Sequence, residues 1–272
     1  MRASPLLALL LVACDRTSPQ AAPPPATSPS AAPSSVSTAP PSPSPSPAGA
    51  ASGPSANDVF ETGAGPVTIH PVLHATLWLE IGKKIVWVDP WSKGKLDGPK
   101  ADVVLITDIH QDHFDEPGLA AVRKPESAVV APKVVAEKVS GAVALANGEK
   151  KDLGFMTVEA VPMYNLKRGP SEGQLYHPKG RGNGYVLEVG KKRFYLSGDT
   201  ECIPEMKALA SIDVAFVCMN LPYTMTPAEA AECVAAFKPR VLYPYHYRDS
   251  NLDELDKALA GRGVEVRRRG WY

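Results

Sequence analysis

The feature that most constrains this chain is a single junction. A largely apolar, non-alternating run from Ala101 to Thr107 ends directly in Asp108-Ile109-His110-Gln111-Asp112-His113. Apolar character without period-two alternation marks a strand buried on both faces, so the chain has to cover that strand on each side. The acids and imidazoles then cluster at the strand's C-terminal end. In an extended segment residues two apart point the same way, so Asp108 and His110 can share one cation while Asp112 and His113 turn toward a second.

Other segments supply the covering layers. Val67 to Leu73, Thr76 to Ile81 and Ile85 to Asp89 predict opening antiparallel strands, with Gly82-Lys83-Lys84 as a hairpin turn. Further strands are predicted over 127–131, 156–163, 185–189, 193–197, 214–219 and 240–245, and helices over 134–139, 204–209, 227–237 and 252–260. Strands dominate first and then alternate with helices, which predicts two sheets covered by helices rather than one doubly wound sheet. Two strand ends carry more chemistry. Tyr195-Leu196-Ser197-Gly198-Asp199-Thr200 sets a carboxylate on a glycine turn, where it can bridge two cations, and the run Arg240 to Tyr245 delivers His246.

The N-terminal part is a different polymer. Of 28 prolines, 13 precede Asn57, a stretch whose charged residues are Arg2, Asp15 and Arg16. Residues 14–57 hold Pro, Ser and Ala with almost no aliphatic side chains, too little apolar surface to offset ordering entropy, so they predict a disordered tether. Residues 1–13 are too short and weakly apolar to span a bilayer but suit a signal peptide. Leu11-Val12-Ala13-Cys14 resembles the lipobox of bacterial lipoproteins, which implies lipidation at Cys14 and an exported domain, 58–272, anchored in the cell envelope. With 29 basic and 29 acidic residues the formal net charge is zero, so a basic nucleic-acid binder is not expected. Beyond Cys14 the cysteines are Cys202, Cys218 and Cys233, an odd number without Cys-x-x-Cys spacing. No disulfide framework or zinc knuckle is therefore expected, a Cys202–Cys233 bridge is the minority reading, and Cys218 is a core residue.

Taken in order, the motifs resemble the metallo-β-lactamase superfamily, whose signature is His-x-His-x-Asp-His, a further His, a Gly-Asp bridge and a final His. The resemblance covers 67–272 and implies an αββα four-layer sandwich of the α/β class. Within the superfamily it is most similar to the branch of L-ascorbate-6-phosphate lactonase and N-acylphosphatidylethanolamine-hydrolysing phospholipase D. That likeness rests on His74-Ala75-Thr76 with Val88-Asp89-Pro90, on His177-Pro178-Lys179-Gly180, on Ser197-Gly198-Asp199-Thr200 and on Tyr243-Pro244-Tyr245-His246-Tyr247.

Carried over by position, the resemblance implies His110 as a first-site metal ligand, Asp112 and His113 as second-site ligands, Asp199 as the bridge and His246 as the last second-site histidine. Two departures stand out. Asp108 occupies the place of the first signature histidine. At the middle strand's end, Met163-Tyr164-Asn165 lacks the usual histidine, so either Asn165 takes that position or His177 supplies the imidazole from a loop, the latter being preferred. Asp108, Asp112 and Asp199 give three negative charges against four on two divalent cations. That count predicts a less acidified water, weaker attraction for anions and greater tolerance of Mn²⁺ or Fe²⁺ beside Zn²⁺.

Around these residues, Asp89 reads as support for the ligand loop and His70 as structural. His74 either lines the cleft or caps a strand. Lys179 and Arg181 either meet a substrate phosphate or carboxylate or face solvent, and Tyr223 lies on a loop suited to substrate contact. The implied activity is a dinuclear metallo-hydrolase whose bridging hydroxide attacks an ester, lactone or phosphodiester of a small or lipid-like substrate, with Asp112 and Asp199 catalytic. No Gly-x-Ser-x-Gly nucleophile motif is present. The alternative is a mononuclear or non-catalytic metal-binding sensor on the same fold.

Overall fold

The computed structural model describes residues 58–272. The predicted signal peptide, Cys14 and the predicted tether lie outside the described residues. Two sheets of seven strands each carry the fold. The first runs in chain order through β1 (Asp58–Thr62), β2 (Gly65–Leu73), β3 (Thr76–Ile81), β4 (Lys84–Val88), β5 (Val103–Leu105), β6 (Ala128–Ala131) and β7 (Val143–Ala144). The second contains β8 (Lys150–Asp152), β9 (Thr157–Met163), β10 (Gly182–Val189), β11 (Lys192–Leu196), β12 (Val214–Cys218), β13 (Val241–Tyr245) and β14 (Glu265–Val266). In each sheet the first four strands pair antiparallel and the rest parallel.

The predicted strand at 101–107 is β5, and its Val103, Val104 and Leu105 are all buried. It is covered from both sides. Val103 and Leu105 join the apolar layer between the sheets, where Leu77, Leu79 and Val88 accompany Tyr185, Phe194 and Phe216. Val104 and Ile106 face a separate cluster with Phe114, Leu119, Val122 and Val135, contributed in part by α1 (Glu116–Val122) and α2 (Lys133–Ala136). On the outer face of the second sheet lie α3 (Pro204–Lys207), α4 (Pro227–Phe237) and α5 (Leu252–Leu259). Met206, Val234, Phe237, Leu255 and Leu259 of these helices are buried against the main core. The result is the αββα sandwich expected from the motifs.

α4 starts where the sequence requires. The Thr226 hydroxyl accepts from Glu229 N while the Glu229 carboxylate accepts from Thr226 N, closing a capping box ahead of Pro227. One expectation is corrected here: Cys202 and Cys233 form a disulfide that ties the loop after β11 to α4. Their 31-residue separation carries no local spacing signal, so only the folded chain brings them together. Cys218 is free and buried, as a core residue should be.

Candidate metal centre

The centre lies where several strands of both sheets end. Thr107 to His113 follow β5, Asp89 follows β4, Asp199 follows β11, His246 follows β13, and His74 sits between β2 and β3. His74, Asp89 and His246 have φ of 61°, 42° and 50°. Such left-handed conformations in residues with a Cβ cost about 1–3 kcal/mol each and persist where the surroundings enforce them. Gly198, at φ 58°, lets the chain turn toward Asp199, because a Cβ there would stand 2.5 Å from the Met163 sulfur.

The ligand-type atoms fall into two adjoining groups. In the first, Asp108, His110 and His177 each bring a donor atom within 4.8 Å of the others. In the second, His113, Asp199 and His246 do the same, and Asp112 joins His74 and His246 in an overlapping set. Asp199 stands between the two groups. Its Oδ2 lies 3.2 Å from His177 Nε2 and 3.4 Å from His113 Nε2, while its Oδ1 is 3.2 Å from His246 Nε2. Asp112 Oδ2 lies 3.5 Å from His246 Nε2, and its Oδ1 is 3.9 Å from His113 Nε2.

Three relationships make this donor set suit a cation. The Nε2 atoms of His113 and His246 lie 3.2 Å apart, so both face one point where either a proton or a cation has to sit between them. Asp199 Oδ1 is buried without a hydrogen-bond partner among the described residues, which is costly unless something polar meets it. The electrostatics agree. Burial opposes charge on both His113 and Asp199, yet the carboxylates of Asp199, Asp112 and Asp89 hold the His113 imidazolium well above its usual range, and His246 and His113 hold Asp199 well below its own. The middle of the cluster therefore favours positive charge.

Neighbouring groups fix the imidazoles. The Asp89 carboxylate accepts from His113 Nδ1 at 2.8 Å and from the Thr107 amide and hydroxyl at 2.8 and 2.6 Å. That turns Nε2 of His113 toward the cluster. Asn165 plays the same part for His177: its Oδ1 accepts from His177 Nδ1 at 2.5 Å, which turns Nε2 toward Asp199. Asn165 Nδ2 is in turn spent on the Tyr223 carbonyl at 2.8 Å. Of the two alternatives for this position, His177 faces the centre and Asn165 stands behind it.

A cleft of about 360 Å³ opens over the cluster, with His74, Trp91, Lys93, Tyr176, Tyr223 and Arg248 among its walls. His74 thus lines the cleft, and Tyr223 reaches its rim. Lys179 does not line it. Its ammonium binds Glu205 at 2.6 Å and lies over the Tyr164 ring on an exposed surface, so of its two alternatives substrate contact is corrected and solvent exposure stands. Arg181 also departs from the expectation, because its guanidinium grips Asp108 through Nε at 3.2 Å and Nη2 at 2.9 Å. Burial opposes the charge of Asp108, but His110 and Arg181 hold its pKa down to about 2. The predicted tally of three carboxylates omitted this fixed cation. Sequence reasoning also missed Tyr272, whose hydroxyl hydrogen-bonds Nδ1 of His74. A separate cleft of about 460 Å³ lies at the opposite strand ends, among Lys192, Asp213, Arg240, Glu265 and Arg267, and gathers no histidine.

A four-layer sandwich with carboxylates and imidazoles gathered at its strand ends defines a metallo-hydrolase of the metallo-β-lactamase class. The chain belongs to that superfamily: the family model described as a beta-lactamase superfamily domain matches residues 68–246. More particularly, it belongs to the UPF0173 metal-dependent hydrolases. A member from Thermoplasma acidophilum is 31% identical over 197 residues, covering 66% of this chain and 85% of the relative. One from Thermococcus kodakarensis is 28% identical over 207 residues, covering 71% and 92%. Among solved structures, a candidate metal-dependent hydrolase of Parabacteroides distasonis is similar at 40% identity and TM-score 0.76, over 80% of this chain and 99% of that one. A metallo hydrolase of Ignicoccus hospitalis shares the fold at 20% identity and TM-score 0.61, over 74% and 94%.

Proposed function

We propose that this metal-dependent hydrolase cleaves an ester, lactone or phosphodiester bond at a two-cation centre. Asp108, His110 and His177 would hold the first ion, Asp112, His113 and His246 the second, with Asp199 between them. Zn²⁺ suits this mixed imidazole and carboxylate set, and Mn²⁺ or Fe²⁺ is admissible. The observation that carries the reading is the Asp199 carboxylate, spaced 3.2 Å from both His177 Nε2 and His246 Nε2. When bound, the ions supply an acidified water and a Lewis acid for the scissile oxygen.

The chain's own groups do the rest. His113 and His177 are held by Asp89 and Asn165 with Nε2 presented to the centre. Asp112, half-buried at the cleft floor, is placed to accept a proton from the attacking water as well as to bind metal. Lys93 and Arg248 line the cleft without a carboxylate partner within 4.0 Å among the described residues, which supports a polar or anionic substrate. Trp91, Tyr176 and Tyr223 add apolar wall for the remainder, compatible with a small-molecule or lipid-like compound. The lactone and phosphodiester classes also follow the branch resemblance of the motifs.

The Cys202–Cys233 bridge supports an oxidising compartment and hence an exported domain, and the anchor at Cys14 rests on the lipobox resemblance alone. Labelling cells with an alkyne fatty acid tests the anchor: label lost in Cys14→Ala supports it, and equal label in both rejects it. For the chemistry, the chelator-stripped protein is assayed on an ester, a lactone and a phosphodiester sharing one chromogenic leaving group. Hydrolysis of at least one, restored by Zn²⁺ or Mn²⁺ and absent in Asp199→Ala, supports the reading. Metal-independent turnover, or none with any of the three, contradicts it. A single-ion centre is favoured by one observation, the hold of Arg181 on Asp108.

A further inference from the structure

We infer that Arg181 is a built-in counter-cation of the first site, competing with the metal ion for Asp108 and His110 so that the two sites load unequally. The inference rests on the metal centre proposed above.

Asp108 is fully buried, and its charge is met side-on by a guanidinium, with Nε 3.2 Å from Oδ1 and Nη2 2.9 Å from Oδ2. Two parallel charge-assisted bonds are the strong form of this pair, and an arginine does not lose its proton in a protein. The same Nη2 lies 3.3 Å from His110 Nε2. A guanidinium can only donate, so His110 Nε2 accepts, which places the imidazole proton on Nδ1. Nδ1 in turn lies 2.9 Å from Asp108 Oδ2. Arg181 thus engages two of the three first-site donors. For Nδ1 of His110 to take a cation, its proton has to move to Nε2, where it would face the guanidinium N–H groups. A first-site ion meets Arg181 twice, as a like charge and as a rival for the same lone pairs.

The second site has no such rival. Among the described residues, no lysine or arginine lies within 4.0 Å of the Asp112 or Asp199 carboxylates, whose close cationic partners are histidines alone. Arg181 comes from the loop just before β10, and its charge balances the carboxylate that stands where related signatures carry a neutral histidine. The pair Asp108–Arg181 therefore has the net charge of the histidine it replaces.

The test is a Zn²⁺ and Mn²⁺ titration of metal-stripped full-length protein by equilibrium dialysis with elemental analysis, on wild type, Arg181→Gln and Arg181→Lys. Wild type is expected to bind one ion tightly and a second roughly tenfold or more weaker, a gap equivalent to ~1.4 kcal/mol or more. Arg181→Gln is expected to tighten the weaker ion by about tenfold while leaving the tight one unchanged, and Arg181→Lys to keep much of the gap. Weaker or unchanged first-site binding in Arg181→Gln overturns the inference and makes Arg181 a positioning residue for Asp108. Because an unpaired buried carboxylate can disturb folding, the double variant Asp108→His with Arg181→Gln is titrated alongside. It should load both sites with similar affinity, and a persisting gap also overturns the inference. No ion bound by wild type or any variant would remove the two-cation reading itself, and this inference with it.

Discussion

Nε2 of His74 lies 3.1 Å from Oδ2 of Asp112, and the Tyr272 hydroxyl closes on Nδ1 from the other side of the ring. Since a carboxylate only accepts, His74 donates from Nε2 and receives the tyrosine hydroxyl at Nδ1. Burial lowers the His74 pKa despite the Asp112 contact, which fits this neutral ring. The His74 carbonyl also accepts from the His246 amide at 3.0 Å. One strained residue thus ties a cleft wall to two of the candidate ligands.

His74→Ala is therefore expected to lower kcat/KM or second-site metal affinity by roughly 10- to 100-fold, the usual effect of removing a group that orients a ligand. Tyr272→Phe should give a smaller loss of the same kind. Steady-state kinetics with metal content measured on the same samples checks both. Equal activity in His74→Ala and wild type would reduce His74 to a strand cap.

Asp89→Asn should weaken second-site metal binding by a similar ~10- to 100-fold while leaving the first site nearly intact. The reason is local: Asp89 accepts from His113 Nδ1, Thr107 N and Thr107 Oγ1 through two oxygens, whereas an amide keeps one accepting oxygen and turns a donor toward the remaining N–H or O–H groups. Metal titration separates the two sites. Parallel weakening of both would point to general collapse of the loop.

The sequence made some of this legible and hid the rest for identifiable reasons. Asp108, His110, Asp112, His113, Asp199 and His246 each follow a strand end, so hydrophobic patterning exposed them. His177 needed the missing histidine at Asn165 to be noticed. Arg181, by contrast, sits in a glycine-rich loop and meets Asp108 only across 73 residues, while Tyr272 reaches His74 across 198. No periodicity encodes such contacts. Helix α1 carries a weak sequence signal because Pro117 and Gly118 interrupt its pattern, although Asp115 caps it by accepting from Gly118 N. Strand β8, Lys150–Asp152, is wholly exposed and charged, so it carries no apolar signal at all.

Acid should remove one identifiable contribution to stability. Although burial works against its charge, the Thr226 amide with Arg168 and Lys167 holds the Glu229 pKa down to about 2. A carboxylate depressed in the folded state stabilises the fold above its unfolded pKa, and that contribution fades as pH falls toward the folded value. Glu229→Gln should therefore be less stable than wild type near neutrality, with the difference shrinking between roughly pH 5 and pH 2. Denaturant melts of both proteins across that range test it. A difference independent of pH would assign the effect to packing.

Reducing the Cys202–Cys233 bridge, or replacing both cysteines by alanine, should destabilise the domain by about 3–4 kcal/mol, the loop-entropy expectation for its 31-residue separation. Urea unfolding with and without reductant measures this. A change below ~1 kcal/mol would show that the α4 contacts alone secure the loop.

The proposed function turns on a centre that would hold two cations with Asp199 between them. It is tested most directly by elemental mass spectrometry of the full chain, saturated with Zn²⁺ and freed of unbound ion, for wild type, His177→Ala and His246→Ala. The account predicts about two ions per wild-type chain and about one in either variant, each substitution removing the ion on its own side of Asp199. One ion or none in wild type, unchanged by either substitution, would contradict it.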